Sequence, residues 1–180
     1  MDEANSQETA QPKPPPLKVH IRWMIRRDMP EVLAIESCRG KRAWTEDQLV
    51  ELLRQRNAIG MVAEHGDTIV GYMAYTMHKT RLEIRTLAVH EKHRLRRVGW
   101  QMLAKAIGKL QPQRREAVRL NVREADLDAQ LWLKACGFRA TAVEREHFDD
   151  DEPVAYRFEY ALPRDDRAAP RAQGVGNAEA

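Results

Sequence analysis

Cysteine is nearly missing from this chain of 180 residues, which holds only Cys38 and Cys136. The two lie far apart and fit neither a redox pair nor a zinc-ligand spacing. Separate thiols in a reducing compartment are expected rather than a disulfide framework. The six histidines show no metal-ligand spacing either, so no metal is expected. No apolar run approaches the roughly 18 residues that a membrane span needs. The first residues, MDEANSQETAQ, are acidic and polar, unlike a signal peptide. A formal charge of +3 is too small for bulk electrostatics to demand nucleic acid. There is no internal repeat. These absences leave one cytoplasmic domain, off the membrane, long enough to bury a core without disulfides.

Both ends lack what a core needs. Residues 1–17 are polar and then proline-rich (QPKPPPL), and residues 163–180 (PRDDRAAPRAQGVGNAEA) have one valine and no aromatic side chain. Neither stretch buries enough apolar surface to offset the entropy of ordering, so both are expected as disordered tails around a domain at 18–162. Inside it the hydrophobic periods alternate. VHIRWMI (19–25) reads as a strand, and Asp28 then caps a helix with Pro30 in its first turn. Thr45 and Gln48 form a capping box at the start of TEDQLVELLRQR. AIGMVAEH (58–65) and TIVGYMAYTMH (68–78) are strands joined by a Gly-Asp turn, and RLEIRTLAVH (81–90) follows as a third. Val98, Met102, Ala106 and Leu110 share one face of a helix over 98–110. AVRLNVRE (117–124) is a strand. LDAQLWLKAC (127–136) is a helix stopped at Gly137. FRATAVEREHF (138–148) and VAYRFEYAL (154–162) are the last strands. The order β-α-α-β-β-β-α-β-α-β-β describes an α/β (α+β) domain with a mixed, mostly antiparallel central sheet and one β-α-β crossover.

At that crossover stands HRLRRVGWQMLAKAIGKL (93–110), a burst of positive charge before an apolar helix. A strand, a basic turn and a helix start can cradle an anion. The first N–H groups of the helix have no internal partner, and the helix dipole adds about half a positive charge there. Lys92, His93, Arg94, Arg96 and Arg97 surround the place, and a pyrophosphate suits it. A solvated basic helix end reads equally well from spacing alone. No Gly-Lys-Ser/Thr follows and only one glycine is present, which excludes a Walker A loop and a Rossmann fingerprint.

The stretch 87–103, LAVHEKHRLRRVGWQML, resembles the acetyl-CoA-binding segment of the GCN5-related N-acetyltransferase family, whose loop reads Arg/Gln-x-x-Gly-x-Gly/Ala. Arg94 falls on the first position and Gly99 on the last. NVREADLDAQLWLKACGF (121–138) is similar to the run EVRxSNxxAxxLYxxxGF of the branch that acetylates protein N-termini, typified by the ribosomal-protein alanine N-acetyltransferases. The likeness covers about 19–162. It implies acetyl-CoA as co-substrate, lying in a splay between the 81–90 and 117–124 strands. It also implies a cofactor site of Leu87, Ala88, Val89, Arg94, Leu95, Arg96, Arg97, Val98, Gly99, Trp100, Asp126 and Leu133. Backbone groups of Leu87 and Val89 would pair with the pantetheine arm, and the N–H of Val89 would polarise the thioester carbonyl. Amides at 95–100 would hold the pyrophosphate, with Arg94 and Arg96 adding charge-assisted bonds. The acceptor implied is a protein or peptide N-terminus, such as that of a ribosomal protein.

The chain departs from that pattern at four places. Arg97 stands at the family's first glycine and gives up its freedom of φ in return for a charge. Asn121 stands at the usual catalytic glutamate; it takes no proton at neutral pH but can align an amine or a water. Leu133 stands at the tyrosine that protonates the departing thiolate, and leucine only packs. Asp126 replaces an asparagine that seats the cofactor, and a carboxylate there faces phosphate unfavourably. An α-amino group, with a pKa near ~7.8, is partly neutral at physiological pH, whereas a lysine near ~10.4 is almost wholly charged. Loss of the base is therefore tolerable for an N-terminal amine and severe for lysine. Glu83 is a substitute base, or else a solvent-facing carboxylate laddered with Arg81 and Arg85. Glu124 is a weaker one. Trp44 is either a wall of the acceptor groove or a staple at a helix start. Tyr156 and the HFDDDEP loop (147–153) lie where the family's last hairpin closes the groove. His147 and Phe148 stand where relatives carry tyrosines. Asp149–Glu152 attract a cationic N-terminus or form a solvated tip. An N-acetyltransferase is expected. A non-catalytic acyl-CoA-binding or protein-binding module is the alternative, and a nucleic-acid binder using 92–97 and 113–115 is distant from both.

Overall fold

The computed structural model describes residues 14–145 and 154–163. Most of both expected tails, and the HFDDDEP loop with His147, Phe148 and Asp149–Glu152, lie outside the described residues. The elements follow the expected order: β1 (His20–Trp23), α1 (Met29–Ser37), α2 (Glu46–Arg54), β2 (Ala58–His65), β3 (Thr68–Met77), β4 (Arg81–Val89), α3 (Val98–Ile107), β5 (Ala117–Arg123), α4 (Leu127–Ala135), β6 (Arg139–Glu144) and β7 (Ala155–Ala161). Thr45 accepts from the Gln48 N–H while the Gln48 side chain accepts from the Thr45 N–H, the expected capping box of α2. Gly137 ends α4 at φ +87°, where a side chain would be strained.

The strands form one seven-stranded sheet in the order β1-β2-β3-β4-β5-β7-β6. Every neighbouring pair is antiparallel except β4 and β5. Helices cover both faces. On one, Val98, Met102, Leu103 and Ala106 of α3 and Leu133 of α4 pack on Met73, Tyr75, Leu82, Ile84, Val118 and Leu120. On the other, Val32 and Ile35 of α1 and Leu49 of α2 pack on Val62, Ile69, Tyr72 and Ala88.

Ala74 pairs with Thr86 and Tyr75 with Ile84, so Arg85 is an extra residue bulged out of β4. A bulge exchanges the two faces of a strand. Leu82 and Ile84 before it face α3, and so do Leu87 and Val89 after it. Ala88 faces α1 instead. The bulge also marks where β4 leaves β5.

Three expectations need correction. Leu17, placed in the N-terminal tail, is buried in the main core, and its N–H donates to the Arg96 carbonyl (2.9 Å). The domain therefore starts earlier than 18. Cys38 and Cys136 are both free, as expected. Asp28 precedes α1, but its carboxylate caps no helix N–H. It instead takes the Arg22 guanidinium in two bonds (2.7 and 3.0 Å) and the Ile25 N–H (2.8 Å). Helix α3 ends at Ile107, and Leu110 beyond it packs on the core without being helical.

The Arg22 side chain holds the Asp28 carboxyl below the usual carboxylate range, against an opposing push from burial. A group so depressed stabilises the fold above its unfolded pKa of about 3.9, and the contribution is lost as pH falls through the folded value. Asp28→Asn should cost about 2–3 kcal/mol at pH 7. That deficit, measured by urea denaturation, should shrink as the pH falls through the folded-state pKa of Asp28, which lies below its unfolded value.

Candidate functional site

β4 and β5 pair in parallel for only four residue pairs, from Arg81 with Ala117 to Ile84 with Leu120. Past the Arg85 bulge the strands part. A cleft of about 600 Å³ opens there, walled by Thr86 and Leu87 of β4, by Asn121, Val122 and Arg123 of β5, and by Asp126, Trp132 and Leu133 around α4. The His90 N–H donates to the Val70 carbonyl on the β3 side. Backbone groups alternate in direction along a strand. Thr86 and Ala88 therefore also turn to β3, while Leu87 and Val89 turn their N–H and C=O groups into the gap. Ala88 drops out of the expected cofactor set, because its backbone serves β3 and its side chain faces α1.

The loop after β4 has unusual geometry. Leu95 and Arg97 both have φ of +61°, the left-handed region that glycine occupies freely. Each such non-glycine residue costs roughly 1–2 kcal/mol. The sequence placed Arg97 at a position built for glycine, and the structure keeps the glycine-like conformation with the arginine in it. Among the described residues, no backbone carbonyl takes the N–H groups of Leu95, Arg96 or Arg97. The first-turn N–H groups of Val98, Gly99 and Trp100 have no partner within the helix. A left-handed residue, Arg97, followed directly by the right-handed first turn of α3 makes a concave nest of amides suited to an anion. Gly99 is needed for a different reason. A Cβ there would stand 3.1 Å from the Trp132 ring, so any larger residue would push that ring back by a few tenths of an ångström.

Of the expected phosphate-binding side chains, two are engaged elsewhere. The Arg94 Nε donates to the Val89 carbonyl (3.3 Å), and the Arg96 Nε donates to the Pro15 carbonyl (3.2 Å). Val98 is core, Leu95 and Trp100 are exposed, and Trp100 borders a smaller hollow with Leu17, Lys18 and Arg97. Asp126 accepts the Ala129 N–H (3.1 Å) and so caps α4. Leu133 is fully buried at the cleft floor.

On the acceptor side, Glu83 lines the cleft with one oxygen 2.9 Å from Arg85 Nη1 and the other 3.4 Å from His78 Nε2 and 3.6 Å from Arg81 Nη2. The expected charge ladder exists, and His78 joins it. Asn121 shares the cleft wall. Trp44 does too, while also packing on the α1–α2 core. Tyr156 stands elsewhere. It pairs with Val122 across β5 and β7, outside the cleft lining, and donates its hydroxyl to Glu124 (2.8 Å), which raises its pKa.

Sequence reasoning missed the structure under the acceptor wall. Glu36, at the end of α1, is almost fully buried. Its carboxylate accepts from Arg39 Nη1 (2.8 Å), from the Trp44 N–H (2.7 Å) and from the Tyr72 hydroxyl. Thr86 closes the network through Tyr72 (3.1 Å) and Arg39 (3.2 Å). Burial, with the Glu36 charge beside it, pushes the Tyr72 hydroxyl far above its ordinary pKa, so it stays a donor. Glu36 thus ties the Gly40–Arg42 turn and Trp44 to the sheet. The only signal in the sequence was a glutamate on the apolar face of α1.

Residues 21–138 match the model of the Acetyltransferase (GNAT) family. No curated protein matches the chain by sequence. Several solved structures share its fold. Ard1 from Thermoplasma volcanium is 23% identical, with a TM-score of 0.71 over 81% of this chain and 99% of that one. The ribosomal-protein-S18-alanine N-acetyltransferase from Escherichia coli is 14% identical, with a TM-score of 0.72 over 88% and 100%. Arabidopsis thaliana Naa50, in complex with the bisubstrate analogue CoA-Ac-MVNAL, is 16% identical, with a TM-score of 0.68 over 80% and 99%.

Removing one partner of a buried charged pair strands the other. Glu36→Ala should therefore cost about 3–5 kcal/mol in urea denaturation. A loss under about 1 kcal/mol, the range of an exposed ion pair, would show that the network does not hold the wall.

Proposed function

The chain belongs to the acetyltransferase (GNAT) family, and from that premise we propose that it transfers the acetyl group of acetyl-CoA to the N-terminal α-amino group of a protein. One observation carries the reading. The gap between β4 and β5, faced by the Leu87 and Val89 backbone, leads to the amide nest at the start of α3. Leu87 and Val89 offer an edge to which an extended amide-bearing arm adds as a strand. The Val89 N–H is placed to polarise a carbonyl in the gap. The amides from Leu95 to Trp100 suit a pyrophosphate, with Arg97 and the α3 dipole supplying charge. Acetyl-CoA, when bound, supplies the activated acyl group.

The acceptor amine enters from the side walled by Trp44 and Glu83. Glu83 takes its proton at the oxygen shared with His78, and Asn121 orients it. Leu133 offers no proton to the leaving thiolate, which a thiolate tolerates better than an alkoxide would. An α-amine suits such a site because it needs little help to be neutral, whereas lysine needs a strong base. The relatives point the same way: one is a ribosomal-protein alanine N-acetyltransferase, and another holds a peptide-bearing analogue. Asn121 and Leu133 at the usual proton-transfer positions favour the second reading, an acyl-CoA-binding module without turnover.

Thermal denaturation with acetyl-CoA, followed by CoA release against N-terminal peptides that include ribosomal ones, separates the two. The enzyme should be stabilised and should release CoA with a peptide bearing a free α-amine. It should release none with the same peptide blocked at its N-terminus and carrying a lysine. Stabilisation without release from any peptide supports the module. Gly99→Glu should abolish the acetyl-CoA shift, and an unchanged shift would move the anion site elsewhere. Glu83→Gln should lower turnover several-fold at pH 7, where only about a seventh of an α-amine with pKa near ~7.8 is neutral, and much less at pH 9, where nearly all of it is. Equal losses at both would leave Glu83 as a partner of Arg81 and Arg85 only.

A further inference from the structure

The loop at Leu95–Arg97 holds a left-handed conformation at two residues that do not favour it, and neither is glycine. What holds it there is a segment from the start of the chain. The Leu17 N–H donates to the Arg96 carbonyl (2.9 Å), and the Arg96 Nε donates back to the Pro15 carbonyl (3.2 Å). Arg96 is thus gripped by both its main chain and its side chain, at the peptide between the two left-handed residues. Gln101, in the first turn of α3, binds both parts. Its Nε2 donates to the Leu17 carbonyl (2.7 Å) and to the Arg97 carbonyl (3.2 Å), and its Oε1 accepts the Val19 N–H (3.4 Å). Leu17 anchors the segment by burial in the main core. The three residues before it, Pro14, Pro15 and Pro16, have fixed φ and no N–H to leave unpaired, so the segment loses little freedom when it docks.

We propose that Pro14–Val19 is a positioning strap for the anion-binding loop, supplying from outside the left-handed geometry that a glycine at position 97 would adopt without help. The inference rests on reading that loop as the phosphate holder. Gln101 is the positioning residue through which the strap acts. It does not touch the ligand. A chain with glycine at 97 would not need the strap; this one does.

The claim is a coupling between Gln101 and Arg97, and a double-mutant cycle in the full-length chain measures it. Deleting the strap removes Leu17 from the core and endangers folding, so the cycle uses Gln101→Ala, a helix-compatible change outside the core. In the Arg97 protein, Gln101→Ala should weaken coenzyme A binding in calorimetry by about tenfold, and should raise KM for acetyl-CoA with kcat little changed. In the Arg97→Gly background the same change should cost less than about twofold. An equal loss in both backgrounds overturns the proposal, because it makes Gln101 a general support or a ligand contact.

A readout without ligand keeps the strap and the functional reading apart. In the free protein, Gln101→Ala should drop the backbone order parameters of residues 94–98 from the rigid range near ~0.85 toward ~0.6. Unchanged order parameters overturn the strap. If the wild-type chain takes up no coenzyme A, the acetyl-transfer reading falls, and the order parameters alone decide whether the strap holds the loop.

Discussion

The parallel pair of β4 and β5 has to come apart partway along its length, and the rest of the site depends on that separation. Strands in a sheet normally satisfy each other's backbone groups to their ends, because an unpaired buried amide is expensive. Here the pairing stops at Ile84 and Leu120. The residue that follows, Arg85, is the bulge that re-aims β4. It turns Leu87 and Val89 toward α3 and leaves their amides facing a gap that α4 floors with Leu133. A strand with open amides, buried on one side and ending at a helix start, is a receptor for something that is itself strand-like and anionic at one end.

The loop at the end of that strand shows how conformation and residue type can separate. Arg97 and Leu95 hold backbone angles that glycine would hold without strain. The conformation persists because neighbouring parts over-determine it: a 3-10 turn at Glu91–His93 before the loop, α3 after it, and the Pro15–Leu17 bonds beside it. Arg96 and Arg94, whose charges look available in the sequence, spend their Nε donors on carbonyls of the protein itself. In the proposed anion site, backbone amides carry more than the arginine count suggests.

The fold was legible because its elements are marked by strong local chemistry. The Thr45–Gln48 capping box, the Gly66-Asp67 turn and the stop at Gly137 each sit where the backbone uses them. Boundaries were less legible. Leu17 follows three prolines, and only a contact distant in sequence reveals that it is core. Asp28 has the right type and place for a cap, yet a better partner, Arg22, lies one strand away. The open edge of β4 at Leu87 and Val89 and the close approach at Gly99 were readable, since motif and strand alternation are local properties. The network beneath Trp44 was not. Glu36, Arg39, Tyr72 and Thr86 come from α1, the turn after it, β3 and β4, and no periodicity links all four. Tyr156 was assigned by likeness; it is not among the residues that line the cleft, and its hydroxyl donates to Glu124.

The sheet order has a consequence for how the molecule opens. β1 to β4 are antiparallel neighbours of one another, and so are β5, β7 and β6. The two groups meet at the short parallel pair, at the turns that precede it and under α3. A short seam in the sheet therefore runs along the cleft. A molecule lodged there touches β4 on one side and β5 and α4 on the other, so it acts as a bolt across the seam. The energy that holds the bolt in place is then added to the energy that keeps the halves together, and protease resistance becomes a measure of occupancy.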